Sequence, residues 1–347
     1  MSHPPGLMTD LYQLTMAVGY LKQGMAHTPA ICEAFVRRLP RHRGFLLTAG
    51  LQRAVRYLRD FRFDEQQVRY LRGQPALAAG MDDDTCQALL DLKFDGDLWA
   101  MPEGTLAFAG EPLLRVEAPL WQAQLVETSL LSILNHSTMI ASKAARVVTA
   151  AGDAGVLEFG TRRTHDAAAV DAARCAYLAG FLGTSNVEAG FRHGVPIFGT
   201  MAHMWVMCHD DEQASFHNYL QVYDQGTTLL IDTYDIVRGT RRACAAARAA
   251  GGPDKLRAVR VDAQLFNKDG TPTGICRAMR NALDDEGFGE TRIVASGDLN
   301  EGRITTLLQA GEPINAFGVG TELVNSKDAP SLGGVYKVVQ VGGRQGG

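Results

Sequence analysis

The chain has 347 residues, 46% of them hydrophobic and 21% charged. That is the makeup of a globular protein with room for one large domain and a smaller one, and it excludes disorder for most of the length. A formal net charge of −4, with no long basic block, excludes wholesale attraction to nucleic acid or an anionic membrane but leaves room for a local anion site. The six cysteines (Cys32, Cys86, Cys175, Cys208, Cys244, Cys276) form no C-x-x-C pair, which speaks for buried free thiols over a zinc site or disulfide framework. No apolar stretch approaches the roughly 18 residues of a membrane span, and the opening "MSHPPGLMTD" lacks the regions of a signal peptide, so the expected location is the cytoplasm.

The first predicted element is a helix over "TDLYQLTMAVGYLKQG", capped by Thr9 or Asp10, with Leu11, Leu14, Ala17, Val18 and Leu21 on one face and Gly24 as the stop. Tyr12 falls in its first turn. Residues 51 to 92 continue the helical pattern. Short apolar runs broken by Gly, Pro and acidic residues then read as a small antiparallel unit in "FDGDLWAMPEGTLAFAGEPLLRVEAP". A long apolar helix follows, "LWQAQLVETSLLSILNHSTMIASKAARVV".

From residue 155 onward a short apolar run, a polar or Gly-rich tip and a helical stretch recur, which predicts βα repetition. The runs are "GVLEFGTRR", "GTSNVEAG", "VPIFGTMAH", "TTLLIDTYD", "AVRVDAQ", "TRIVASGD" and "INAFGVGT". Most end in a polar residue: Arg162, His203, Asp232, Asp262, Asp298, Thr321. In a parallel barrel these ends share one mouth, where ligand sites are built. Any one of them could instead cap the next helix; the recurrence favours a shared site.

The mouth would carry Arg162, Arg163 and Arg260 beside Asp232, Asp235, Asp262 and Asp298, a mixture suited to a phosphorylated sugar and Mg²⁺. "GVGTEL" sets Gly318, Gly320 and Thr321 before a helix, where backbone N–H groups and the helix dipole favour phosphate, although tight turns also need glycine. "ASGDL" is a second such tip. His203 is either a satisfied core histidine or a base or phosphate acceptor. "CHDDEQASFHNY" and "MDDDTCQALL" read as acidic residues opening helices, and the Gly-rich tail "VGGRQGG" is expected to fray.

Taken in order, "TDLYQLTMAVGY", "FVRRLP", "EFGTRR", "AGFLGTSNVEAG", "GTMAH", "DTYD", "ASGDLNEGRI" and "AFGVGTELV" resemble the nicotinate phosphoribosyltransferase family from about residue 8 to residue 339. The resemblance implies a type II phosphoribosyltransferase: an irregular, TIM-like parallel α/β barrel over 131–325 joined to a smaller α/β sandwich domain over 1–130 that is completed by 326–347. It implies a homodimer with shared sites, and NAD salvage. Nicotinate and phosphoribosyl pyrophosphate would give nicotinate mononucleotide and pyrophosphate, with Mg²⁺ and with ATP as co-substrate.

By the same resemblance His203 would be a phosphohistidine, with Asp262 and Asp298 also catalytic. Tyr12 of one subunit and Phe159 of the other would sandwich the pyridine ring; Arg162, Ser185, Asp232 and Arg260 would complete substrate binding. The phosphates would meet Arg37, Arg163, Gly297, Gly318, Gly320 and Thr321; the metal's ligands stay unassigned. Related nicotinamide enzymes carry aspartate at the position of Ser185, where it would repel a carboxylate, so Ser185 favours nicotinate.

Two departures stand out. The family's Arg-Leu-Asp-Ser-Gly-Asp-Leu strand end is replaced by "VRVDAQLFNKDGTPTG", which keeps Arg260 and Asp262 but loses the Ser-Gly-Asp tip, and Met204 stands where the family commonly has serine. Two further readings therefore stay open: a transferase of the same fold that takes another aromatic acid or lacks ATP coupling, and a non-catalytic binder of a phosphorylated metabolite.

Overall fold

The computed structural model describes residues 4–223, 226–262, 265–342 and 344–345. The chain divides into two compact units, Met1–Ser142 with Ala329–Gly347, and Lys143–Asp328.

The first unit is built on an antiparallel sheet in the order Arg344–Gln345, Gly334–Val341, Pro29–Val36, Pro112–Pro119, Asp97–Ala100. Residues 344–345 of the glycine-rich tail are thus paired in the sheet; 343 and 346–347 lie outside the described residues. Burial alternates along Pro29–Val36, so Ala30, Cys32, Ala34 and Val36 face the core. Leu14, Ala17 and Val18 pack against it from the helix Leu11–Lys22, which Gly24 ends with φ +69°. Leu11 is exposed, while Gln13 is fully buried and donates to Glu127 at 3.0 Å. Between 51 and 92 the helices are Leu51–Asp60, Glu65–Arg72 and Asp83–Asp91. Asp82 caps the last by accepting from the Thr85 amide, which accounts for "MDDDTCQALL".

The single helix expected over "LWQAQLVETSLL…" is two, Leu120–Leu125 and Glu127–Ala151. Side chains pin the junction: Glu127 accepts from Gln13, Thr128 donates to Asp10, and Ser129 donates to the Met8 carbonyl. Such tertiary bonds are invisible to a helical period.

In the second unit six strands form one parallel sheet: β1 (Gly155–Glu158), β2 (Gly183–Thr184), β3 (Thr227–Leu230), β4 (Leu256–Val261), β5 (Arg292–Ser296) and β6 (Ala316–Val319), in the order β2-β1-β6-β5-β4-β3. Helices connect successive strands, among them Asp166–Leu178, Ile236–Ala249, Ile275–Asp285 and Glu301–Gln309. Most strand residues are buried, as parallel strands covered by helices must be. Of the seven expected runs, "VPIFGTMAH" forms no ladder; Ile197 makes one parallel bridge to Thr184 beyond β2. No helix among the described residues is long and apolar enough to cross a membrane.

Candidate active site

Strand register decides which residues meet. Glu158 pairs with Thr184 and Val319, Gly318 with Ser296, Ala295 with Val261, and Leu230 with Arg260, so the strands end nearly in line. The residues that follow each strand therefore emerge on one edge of the sheet. Those after β1, β2, β4, β5 and β6, together with residues 199–202, enclose a cavity of about 500 Å³. Of the residues singled out above, Phe159, Arg162, Arg163, Ser185, Arg260, Asp262, Gly297, Asp298, Gly318, Gly320 and Thr321 line it.

Phe159 follows β1 and is tied to β6 by its amide, which donates to the Val319 carbonyl at 2.9 Å. Its ring lies on Gly318: a Cβ added there would come within 2.4 Å of the ring, and one at Gly320 within 2.9 Å of the Phe159 carbonyl. These glycines are required by close approach. Arg162 and Arg163 form the short turn Thr161–Arg163, both exposed, and the Ser185 hydroxyl stands on the neighbouring tip after β2.

At the end of β4 is a denser polar group. Arg260 donates to Thr200 Oγ1 at 2.8 Å, approaches the Asp262 carboxylate at 3.8 Å, and lies 5.8 Å from the centre of the Phe159 ring. Asp262 accepts from Ser296 Oγ at 3.0 Å, and its amide donates to Asp232 at 2.7 Å. Burial pushes the Asp232 carboxyl above its ordinary value, while the Asp262 amide and His203 pull it back. Burial likewise lowers the Arg260 guanidinium, opposed by Asp262 and Asp232. Among the described residues, Asp232 Oδ1 and Arg260 Nε are buried without a hydrogen-bond partner. Arg260 lines the cavity and Asp232 lies behind the lining residue Asp262, so an unsatisfied group of each sign is present at this end of the site for a charged ligand or ion to complete. Among the described residues no group of three or more His, Cys, Asp and Glu is placed to hold a metal by itself.

Asp298 follows Gly297 in a left-handed conformation, φ +47° after +116°, which is uncommon outside glycine and which Asp tolerates better than most residues. Arg303 donates to the Asp298 carbonyl at 2.9 Å, and it lies 5.3 Å from the Phe266 ring centre. Phe266 belongs to the stretch that departs from the family's pattern. Residues 263–264 lie outside the described ones; beyond them Phe266 bridges Pro272 antiparallel, with Asp269–Gly270 at the turn.

Several expectations change. His203 is not on a strand end. The extended segment amounts to the bridge at Ile197, and His203 is the first residue of the helix His203–Met207, half-buried, with Nδ1 3.2 Å from Thr233 Oγ1. Neither His203 nor Asp232 lines the cavity, although Met201 and Ala202 do. Met204 is 75% exposed and fills no core gap. Asp235 caps the helix Ile236–Ala249 through the Arg238 amide, and Asp211 caps Glu212–Val222 through the Ala214 amide. The helix opened by Thr321 is one turn, Thr321–Val324, so that tip offers backbone N–H groups and a hydroxyl more than a helix dipole. Tyr12, half exposed, and Arg37, exposed just past Pro29–Val36, belong to the first unit.

Thr200 and Ser296 hold Arg260 and Asp262, roles that sequence spacing does not reveal. Each lies inside a quoted string, but its role depends on a partner 60 or 34 residues away.

Comparisons with known proteins give the family. Residues 7–135 match the family described as nicotinate phosphoribosyltransferase (NAPRTase) N-terminal domain, and residues 155–249 the nicotinate phosphoribosyltransferase (NAPRTase) family. The chain is 44% identical over 342 residues to nicotinate phosphoribosyltransferase pncB2 of Mycobacterium tuberculosis, covering 98% of this chain and 71% of that one. It is 41% identical to the nicotinate phosphoribosyltransferase of Bacillus subtilis, covering 96% and 66%. The crystal structure of human nicotinic acid phosphoribosyltransferase superposes with a TM-score of 0.83 at 31% identity, over 98% of this chain and 76% of that one. The chain belongs to the nicotinate phosphoribosyltransferase family.

Proposed function

We infer that this protein is an enzyme that joins nicotinate to phosphoribosyl pyrophosphate, forming nicotinate mononucleotide and pyrophosphate in NAD salvage. One observation carries the reading: an aromatic ring, exposed arginines, a buried Arg–Asp pair and a glycine tip converge on one cavity at the strand ends. The pyridine nitrogen attacks the anomeric carbon as the bond to the pyrophosphate oxygen breaks. Such a step needs alignment and charge stabilisation more than proton transfer. Phe159 offers a face to the ring, Arg162 a cation to the carboxylate, and Ser185 a neutral neighbour that does not repel it. Asp298 faces the ribose hydroxyls; Arg163, Gly297, Gly318, Gly320 and Thr321 face phosphate.

Asp232 Oδ1, without a partner among the described residues and next to Asp262, fits a divalent cation that would take its remaining ligands from phosphate oxygens and water. Bound there, Mg²⁺ would offset charge on the departing pyrophosphate. Arg260, held by Thr200, does the same from the protein side.

The reading extends to an irregular barrel completed beyond the six-stranded sheet, to a cytoplasmic homodimer in which Tyr12 of a second copy covers the pyridine ring and Arg37 assists phosphate binding, and to ATP coupling through His203. The exposed phenol of Tyr12 and the half-buried imidazole beside Thr233 and Asp232 support the last two.

The test is to incubate the protein with nicotinate, phosphoribosyl pyrophosphate and Mg²⁺, with and without ATP, following mononucleotide and ADP by chromatography, with nicotinamide and quinolinate in parallel. Mononucleotide from nicotinate alone among the three acids and amides supports the reading, and its absence refutes it. His203→Ala is expected to abolish ATP turnover yet leave some ATP-independent transfer; unchanged ATP turnover removes the phosphohistidine.

A further inference from the structure

Glu158, the last residue of β1, is fully buried although Val156 and Leu157 before it are apolar. A buried carboxyl is costly unless its oxygens are satisfied, and an apolar residue would serve the strand at less cost. Both oxygens are engaged. One accepts from the Gly160 amide, in the tip that carries Phe159, Arg162 and Arg163. The other accepts from the Thr184 hydroxyl, at the end of β2 beside Ser185. Thr184 Oγ1 also accepts from the Asn186 amide at 2.9 Å, so its own proton is directed at Glu158. The Glu158 carbonyl accepts from the Ser185 amide at 2.9 Å. At Gly160 no side chain fits, since a Cβ would lie 2.4 Å from Val324.

We propose that Glu158 is a positioning residue for the aromatic-acid end of the site, clamping the Phe159–Arg163 tip to the Thr184–Asn186 tip so that ring face, cation and neutral hydroxyl keep one geometry. The inference rests on the transferase reading above. Asp262 and Asp298 follow β4 and β5 and are held by other bonds, from the Ser296 hydroxyl and from Arg303. The clamp therefore acts on the acid more than on the phosphoribosyl donor. Glutamine keeps both contacts only by reversing one: its oxygen accepts from Gly160 while its NH₂ donates to Thr184 Oγ1, whose own proton then loses its acceptor.

The test compares Glu158→Gln, Thr184→Val and Thr184→Ser in the full chain, by steady-state kinetics and by hydrogen exchange of the Gly160 and Asn186 amides. For Glu158→Gln and Thr184→Val the KM for nicotinate is expected to rise on the order of tenfold, and that for phosphoribosyl pyrophosphate by less than about threefold, as for misplacement by a fraction of an ångström. Exchange should quicken at both amides and stay unchanged at residues 297–300, and Thr184→Ser, which keeps the hydroxyl, should restore wild-type values. Equal change in both KM values, or none, overturns the proposal. A wild-type chain that makes no mononucleotide overturns the transferase reading instead, and exchange then judges the clamp alone: unchanged rates at both amides refute it.

Discussion

Gly318→Ala tests the placement of Phe159 with one methyl group. An added Cβ would sit 2.4 and 2.6 Å from two ring carbons of Phe159 and 3.2 Å from Ser296 Cβ. Carbon atoms settle at about 3.5–4.0 Å, so the ring must move by roughly 1 Å. Phe159 cannot escape by shifting its backbone, because its amide is bonded to Val319. Overpacking of this kind costs about 1–3 kcal/mol of stability, and misplacing a substrate-facing group by 1 Å costs on the order of a hundredfold in rate. Urea unfolding and kcat/KM for mononucleotide formation read the two effects. Gly318→Ala combined with Phe159→Leu removes the clash and should recover the stability without the activity. A Gly318→Ala variant with wild-type kinetics would refute the packing of the ring on residue 318, and with it the ring's assigned place against the pyridine.

Three further outcomes are expected. Lys143, 2% exposed, bridges Glu301 at 2.6 Å and Asp328 at 2.9 Å; Lys143→Ala should cost about 3 kcal/mol in urea unfolding, the low end for a broken buried pair because Arg146 still faces both carboxylates, and a cost below about 1 kcal/mol contradicts the burial of the network. Burial pushes the Cys32 thiol up to about 11 and those of Cys244 and Cys276 up to about 12. Unfolded thiols ionise near about 8.5, so the folded chain holds these protons longer, and this stability is full below that pH and is lost as pH climbs toward the folded values. Melting temperature should therefore fall more steeply above pH ~8.5 than in a variant with alanine at all three positions; parallel curves would show the thiols are not buried. Finally, Arg303→Met removes the donor to the Asp298 carbonyl and should lower kcat/KM for phosphoribosyl pyrophosphate roughly fivefold, a loss of about 1 kcal/mol, whereas unchanged kinetics would mean that Asp298 keeps its left-handed backbone without help.

The sequence by itself determined the alternation of apolar run, polar tip and helix after residue 155, the helix starts at Asp82 and Asp211, and the stop at Gly24, because each depends on side-chain period or on a cap within three or four residues. Only the tertiary structure decided the alignment of strand ends that brings Phe159, Ser185, Asp262, Asp298 and Gly320 around one cavity, the left-handed Asp298, and the move of His203 from a strand end to a helix start. The same holds for the bonds from Thr184 to Glu158, from Asp262 to Asp232 and from Arg260 to Thr200, which span 26, 30 and 60 residues. Periodicity and capping are short-range signals, whereas register and burial are settled only when distant strands pair, and the chemistry of this site lies in those long-range contacts.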